Sequence, residues 1–79
     1  MQIYVILRVM QSIRKIIGSN VRAARKQKDW SQEKLAIRAK LSSDYIGRLE
    51  RGEVNIGIDA LARIAKCLEV PFESLSIPV

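Results

Sequence analysis

Residues 30–55 read WSQEKLAIRAKLSSDYIGRLERGEVN, and this stretch predicts two short helices joined by a tight turn. Ser31 and Ser42 are each suited to cap a helix, because a serine before the first turn accepts a hydrogen bond from a free backbone N–H. Both serines stand between apolar residues at the spacing of a hydrophobic staple. The repeated signal predicts helices over residues 32–39 and 43–51.

Helical patterns continue on both sides of this pair. Apolar residues recur every three or four positions over residues 10–28 and 58–68, and Pro71 suits the first position of a final short helix. A third start signal lies at Gly57, and Gly52 suits a left-handed helix end. The sequence therefore predicts an all-α fold of five helices. The residues expected in its core are Ile13, Ile17, Val21, Ala24, Leu35, Ala36, Ala39, Ile46, Leu49, Leu61, Ile64, Ala65 and Leu68.

Positive charge is concentrated in one part of the chain. The 79 residues carry a formal net charge of +6, with 14 Lys and Arg against 8 Asp and Glu. Residues 8–51 hold twelve of the basic and four of the acidic residues, a net charge of +8, whereas residues 52–79 have a net charge of −2. A basic surface around the two-helix motif suits a polyanion such as DNA. The alternative is a solvated surface that binds nothing acidic.

The composition excludes several kinds of site. The chain has one cysteine and no histidine, so a disulfide within the chain and a Cys/His zinc site are excluded. No serine or cysteine has an evident base at helical spacing, and no glycine-rich phosphate loop is present. We therefore expect no enzyme, no cofactor and no metal. Cys67 falls on the apolar side of a predicted helix, where we expect a small buried residue.

Residues 1–9, MQIYVILRV, form an apolar N-terminal extension to the domain predicted at residues 10–79. Their β-branched and aromatic side chains favour a strand, which would pair with its twin in a dimer. Ile3, Leu7 and Met10 equally favour an extension of the following helix. A third alternative makes Met10 the natural start and the extension a translation artefact. The stretch is too short to span a bilayer and has no signal-peptide cleavage site.

Three segments carry a resemblance to a known family. They are VRAARKQKDWSQEKLA (21–36), LSSDYIGRLERGEVN (41–55) and IDALARIAKCLEV (58–70), followed by residues 71–75. They resemble the Cro/phage-repressor helix-turn-helix family, also called the Xre family. The single-domain length also resembles that of the controller proteins of restriction–modification systems. The resemblance implies that the third helix enters the major groove of DNA as a recognition helix, and that a symmetric dimer binds a palindromic operator.

The resemblance also implies roles for single residues. Gln32 opens the second helix, where it approaches a phosphate and braces the recognition helix. Asn55 lies in a loop that contacts phosphate. Arg25 and Glu50 match a structural ion pair between the first and third helices. The positions expected to face the bases are Ser43, Asp44, Gly47 and Arg48.

The side chains themselves add candidates and alternatives. The planar fork of Arg48 matches O6 and N7 of guanine, and a contact to phosphate is its alternative role. Asp44 can accept from cytosine N4 or favour the helix start near Ser42. The Tyr45 ring can pack on the protein while its hydroxyl reaches a phosphate. Glu69 stands where the family usually has glycine, so we expect a different junction between the last two helices. Further candidate phosphate contacts are Arg22, Lys34, Arg38, Lys40 and Arg51.

These observations favour a small cytoplasmic transcription regulator that binds double-stranded DNA as a homodimer. The subunit contact is expected through the predicted helices 4 and 5, with residues 1–9 as a further surface. With no second domain predicted, we expect no small-molecule effector, and we expect no membrane contact. The alternative function is an antitoxin whose main task is to mask a toxin. A third hypothesis is a basic protein that coats DNA without sequence preference.

Overall fold

The structure, a computed structural model, describes residues 2–76, which form five α-helices and the loops between them. The helices are α1 (Gln2–Gln27), α2 (Gln32–Ala39), α3 (Ser43–Glu50), α4 (Ile58–Leu68) and α5 (Phe72–Ser76). Within residues 2–76 no strand occurs, and the predicted all-α fold of five helices is confirmed. The bounds of α2 and α4 agree with the prediction, whereas α1 begins eight residues earlier than predicted.

Both predicted serine caps are formed. The Ser31 hydroxyl accepts a hydrogen bond from the backbone N–H of Lys34 at 3.0 Å. The Ser42 hydroxyl accepts one from the backbone N–H of Tyr45, also at 3.0 Å. Each serine has an extended backbone, as a capping residue must, and each bond satisfies one of the free N–H groups of the first turn. The two helices of the motif therefore begin where their own sequence sets them.

Four helices end in a residue with left-handed backbone conformation. These residues are Asp29 (φ 57°), Lys40 (φ 59°), Gly52 (φ 76°) and Glu69 (φ 59°). In each case the left-handed residue and the one after it donate backbone hydrogen bonds back to the last helical turn, which is the Schellman arrangement. The prediction for Gly52 is confirmed. The other three ends use residues with a side chain, at a conformational cost of about 1–2 kcal/mol each.

Glu69 shows that the junction between α4 and α5 does not depart from the glycine pattern, and the expectation of a different junction was wrong. Its backbone N–H bonds to the Lys66 carbonyl at 3.1 Å, and the next N–H, of Val70, bonds to the Ala65 carbonyl at 3.0 Å. The Glu69 carboxylate also accepts from the Lys28 ammonium at 2.6 Å, which lowers the pKa of Glu69. The hydrogen bonds of the turn and this ion pair hold the strained conformation.

The core lies where the second half of α1 meets the other four helices. Its buried apolar residues are Val21, Leu35, Ala36, Ala39, Ile46, Leu49, Leu61, Ile64, Ala65, Leu68 and Leu75. Most of the predicted core is confirmed, with Ile17 and Ala24 partly buried against it. Ile13 was wrongly predicted, since 46% of its surface is exposed. Cys67 is half-buried rather than buried, and its thiol donates to the Arg38 carbonyl at 3.2 Å.

The first half of α1 projects beyond this core. Residues 2–9 are helical, which excludes the strand alternative for them. The structure agrees with the other alternative, in which Ile3, Leu7 and Met10 extend the following helix. A helix of 26 residues is about 39 Å long, which accounts for the 42 Å length of a molecule only 23 by 20 Å across. We call residues 2–13 the overhang. Its exposed large apolar side chains are Ile3, Tyr4, Val5, Ile6, Leu7, Val9, Met10 and Ile13.

Gly18 lets α1 approach the end of α3 closely. A Cβ atom at Gly18 would overlap the carbonyl oxygen of Leu49 and would lie 2.9 Å from that of Glu50. Glycine in the middle of a helix costs about 1 kcal/mol relative to alanine. Here that cost allows backbone-to-backbone contact between α1 and α3, the helix that the resemblance predicts to contact DNA.

Candidate nucleic-acid interface

The two helices of the motif present a polar, concave surface. The apolar sides of α2 and α3 are buried in the core, and their outer sides remain exposed between the helix starts. We call this concavity the α2–α3 surface. Its lining residues are Ser31, Gln32, Glu33, Ser43, Asp44, Gly47 and Arg51. Such a polar outer side is what a helix needs if it is to enter a groove of DNA.

A buried ion pair fixes the angle at which α3 is presented. The Arg25 Nε atom donates to Glu50 Oε2 at 2.7 Å and Nη2 donates to Oε1 at 2.9 Å. Only 9% of the Arg25 side chain and 3% of the Glu50 side chain are exposed. The remaining Arg25 nitrogen, Nη1, donates to the Trp30 carbonyl at 2.7 Å. The hydrogen bond to Glu50 raises the pKa of Arg25, so the guanidinium stays charged.

Gln32 adds the second helix of the motif to this network. Its Nε2 atom donates to Glu50 Oε1 at 3.0 Å, so one carboxylate joins α1, α2 and α3. Within residues 2–76, no buried side-chain nitrogen or oxygen lacks a hydrogen-bond partner. The bracing position expected for Gln32 is therefore occupied, while its contact to phosphate stays a prediction.

The four residues expected to face the bases do not share one environment. Ser43, Asp44 and Arg48 are exposed, with Ser43 and Asp44 on the α2–α3 surface. Gly47 is buried, because a Cβ there would lie 3.3 Å from Gln32 Oε1 and 3.3 Å from an Arg51 guanidinium nitrogen. Gly47 nevertheless lines the α2–α3 surface, and its contact to a base stays a prediction. A base that approaches its backbone would contact the Gln32 and Arg51 side chains.

Glu53 engages both arginines at the end of α3, and the sequence analysis missed it. Arg51 Nε donates to Glu53 Oε2 at 2.7 Å, and Arg48 Nε lies 3.9 Å from Glu53 Oε1. The hydrogen bond from Arg51 lowers the pKa of Glu53. The left-handed turn at Gly52 returns the chain toward α3, so an acidic residue directly after it was the available signal. A nucleic acid that binds either arginine must compete with this carboxylate.

The other predicted phosphate contacts are spread over the molecule. Lys34 and Arg38 lie against the Trp30 ring, with their charged groups 5.2 and 5.3 Å from its centre. A second concavity, between α2 and α4, includes Arg38 and Lys40 in its lining, together with Trp30, Arg63 and Lys66. The structure thus separates Arg38 and Lys40 from the α2–α3 surface.

Three further candidates flank the motif. Tyr45 is half-buried on α3, and Arg22 is exposed on α1. Asn55 is exposed in the loop after α3, where it lines a small groove with the base of the overhang. Gln32, Ser43, Asp44, Gly47 and Arg51 are therefore the predicted residues that the structure brings together on the α2–α3 surface, and the contacts of all the candidates with DNA stay predictions.

Comparison with known proteins places this geometry in a family. The model of the helix-turn-helix family HTH_3 matches residues 21–75, more than half of the chain. The chain belongs to this helix-turn-helix family. The matched region spans all of α2 to α4 and begins at Val21, the first residue of α1 in the hydrophobic core. The predicted resemblance to Xre-type, DNA-binding and non-enzymatic proteins is confirmed.

Relatives of known name lie in two groups. Control protein C.BamHI from Bacillus amyloliquefaciens is 42% identical over 60 residues, which are 75% of this chain and 74% of that protein. The crystal structure of the hypothetical transcription factor NHTF from Neisseria superposes on this chain with a TM-score of 0.82 and 33% sequence identity. The aligned region covers 87% of this chain and 79% of the NHTF chain. By sequence, this chain spans 64% of the length of the Neisseria meningitidis protein.

A controller protein of solved structure has nearly the same fold. The restriction–modification controller protein C.AhdI from Aeromonas hydrophila superposes with a TM-score of 0.79 and 29% identity, over 82% of this chain and 94% of that one. The narrower resemblance to controller proteins is confirmed by these matches. Within residues 2–76, no helix combines the length and the apolar character that crossing a bilayer requires.

Proposed function

We propose that this HTH_3 protein is a sequence-specific transcription regulator that binds a palindromic operator as a homodimer. The observation that carries the proposal is α3, whose exposed polar side is held at a fixed angle by the buried Arg25–Glu50–Gln32 network. Relatives named as control proteins and as a transcription factor support it. Two copies would place their α3 helices in successive major grooves, about 34 Å apart.

Specificity and affinity come from different side chains. Arg48 donates to guanine O6 and N7, which is worth about 1–3 kcal/mol of discrimination per base pair. Ser43 accepts or donates to several bases, and Asp44 either accepts from cytosine N4 or stabilises the start of α3. Arg51, Gln32 and Asn55 contact phosphates, which positions the helix and makes binding salt-sensitive.

Glu53 competes with DNA for the guanidinium groups of Arg48 and Arg51. In the free protein the carboxylate accepts from Arg51 and lies near Arg48. Phosphates and base edges must displace the Glu53 carboxylate before they can bind these arginines. A DNA sequence that offers fewer hydrogen bonds in place of the carboxylate is therefore bound less tightly. This competition favours the operator over random DNA.

Regulation follows from assembly in this proposal. A dimer binds two half-sites at once, so occupancy rises steeply with protein concentration and needs no small-molecule effector. The subunits meet through α4 and α5, through residues 1–9, or through both. A regulator of this kind acts where the DNA lies, in the cytoplasm.

The test begins with selection of bound sequences from a random duplex pool. We expect a palindrome, bound about 10³-fold or more tightly than random DNA at 150 mM salt when measured by fluorescence anisotropy. Arg48→Ala should lose preference at one base pair of each half-site, while Lys26→Ala, at an exposed position of α1, should not. A preference of only a few fold would support the nonspecific DNA coat instead.

The exposed apolar overhang favours a second candidate function, an antitoxin that masks a protein partner. Purification of the tagged chain from its native cells decides between them. A stoichiometric second protein that depends on the overhang would support the antitoxin, whereas a homodimer that protects a palindrome in a footprint supports the regulator.

A further inference from the structure

The overhang holds most of the exposed apolar surface of residues 2–76. Eight of the ten exposed large hydrophobic residues lie on it, and the other two are Ile37 and Ile58. α4 therefore contributes one such residue and α5 none. We propose that a second copy of this chain docks on the overhang, so that two α1 helices pair antiparallel. This interface rests on the homodimer of the proposed function and assigns its surface.

The spacing of the apolar residues is that of a helix that pairs with another helix. Successive members are separated by three and four residues, the a and d positions of a coiled coil. They are Ile3, Ile6, Met10, Ile13 and Ile17. We call this row the seam. Leu7 and Val9 flank it, and Arg14 is the one charged residue beside it. Arg8 lies on the outer side of the helix, and Lys15 lies against Gly52 in the turn after α3.

Charge permits two identical seams to meet. The described part of α1 contains no acidic residue, so a parallel copy would bring the two Arg14 side chains to the same level of the pair. An antiparallel copy centred near Met10 separates them by about eight residues, roughly 12 Å along the axis. Like charges at that distance are largely screened at physiological salt. The antiparallel pair thus avoids the repulsion that the parallel one would build in.

The fold itself also selects the antiparallel arrangement. The seam lies on the same face of α1 that enters the core farther along, at Ile17 and Val21. Val54 and Ile56 lie opposite the stretch from Met10 to Ile17 and form a small groove with it. A parallel helix that followed the seam would run into this loop. An antiparallel helix ends there, with the Ile3 and Ile6 side chains of one copy at the groove of the other.

The available area suits a stable dimer. A standard protein interface takes about 800 Å² from each partner. Tyr4 and Val5 lie on the other side of the helix. The six large apolar side chains on or beside the seam, each exposed over 41–71% of its surface, supply area of that order; they are Ile3, Ile6, Leu7, Val9, Met10 and Ile13. Exposed apolar patches of this size on a small domain mark interaction surfaces. Because the same patch is present on both copies, the contact is isologous and closes at two subunits.

The experiment measures the mass of the full-length chain by sedimentation equilibrium, without DNA and at micromolar concentration. We expect a dimer for the native chain, a monomer for Met10→Glu and for Ile6→Glu, and a dimer for the control Ser12→Glu. Ser12 is exposed on the opposite side of α1, so the control adds the same charge to the same helix. Met10 and Ile6 lie outside the core cluster, and circular dichroism should show that both variants stay folded.

Orientation is tested by oxidative cross-linking in a Cys67→Ser background. Met10→Cys lies near the centre of the antiparallel pair and should form a disulfide between copies. Ile3→Cys should not, because the two tips are separated by about 14 residues, roughly 21 Å. Efficient cross-linking through Ile3→Cys would overturn the antiparallel arrangement.

The outcomes separate this inference from the proposed function. A native chain that is monomeric, or a Met10→Glu chain that stays dimeric, overturns the overhang interface. Either result leaves the regulator proposal intact if the chain still binds a palindrome as two copies. Binding of a monomeric native chain to anionic vesicles, lost in Met10→Glu, would assign the overhang to a membrane surface and also overturn the inference.

Discussion

The Arg25–Glu50 pair provides the sharpest test of how this fold is held. Glu50→Ala removes a carboxylate that accepts three hydrogen bonds, two from Arg25 and one from Gln32. It leaves the Arg25 guanidinium charged and almost fully buried, with only the Trp30 carbonyl as an acceptor. Breaking a buried pair on one side costs about 3–5 kcal/mol. A chain of this length has a total stability of about 4–12 kcal/mol.

The comparison variant is Arg48→Ala. Arg48 lies 3.9 Å from Glu53, and both side chains are about half exposed, so the loss should be at most about 1 kcal/mol. For a domain of this size each kcal/mol lowers the melting temperature by about 4–8 °C. We therefore expect Glu50→Ala to melt at least about 12 °C below the native chain, and Arg48→Ala within a few degrees of it.

The assay is thermal unfolding followed by circular dichroism at neutral pH, with urea unfolding as a second measure. The double variant Arg25→Met/Glu50→Leu should recover much of the loss, because it removes both charges and refills the volume with apolar atoms. Equal melting temperatures for Glu50→Ala and Arg48→Ala would refute the reasoning. They would show that the buried pair does not join α1 to α3.

Three further outcomes are expected. Gly18→Ala should lower the urea midpoint by the equivalent of about 1–3 kcal/mol, because the added methyl group overlaps the Leu49 carbonyl and outweighs the better helix propensity; an increase would show that α1 and α3 are not in contact there. Lys40→Gly should stabilise the chain by about 0.5–1 kcal/mol by relieving its left-handed backbone, whereas Lys66→Gly, inside α4, should lose about 1 kcal/mol; the same sign for both would contradict this. Glu53→Gln should bind DNA about two- to fivefold more tightly in an anisotropy titration, with the gain shrinking as salt rises; weaker binding would mean that Glu53 positions the arginines for DNA.

The motif could be predicted from the sequence because its signals are local. Ser31 and Ser42 lie within three residues of the N–H groups that they cap, so the helix starts are set by a few adjacent side chains. The apolar period of α2 to α4 identified the core for the same reason. The resemblance to a family supplied the long-range contacts, which are the pair of Arg25 with Glu50 and the brace that Gln32 forms with α3.

The sequence signals failed where distance along the chain or competing forces decided the result. The start of α1 stayed open between a strand and a helix, because β-branched residues favour a strand, whereas helix propagation from a packed second half adds one hydrogen bond per residue. Gly47 is buried although it lines the α2–α3 surface, because side chains lie over it; one of them, Gln32, is distant in sequence. Glu69 adopts a left-handed backbone because the surrounding turn holds it there.

The missing side chain at Gly18 has a mechanical consequence. Because the two backbones are in contact at that point, α1 and α3 move as one rigid unit. A tilt of α1 therefore tilts α3 by the same angle. In a dimer that is joined through its two α1 helices, the crossing angle of those helices would then set the distance between the two α3 helices. A change of a few degrees at the joint would alter which operator spacing the protein accepts, without any change in the residues that touch DNA.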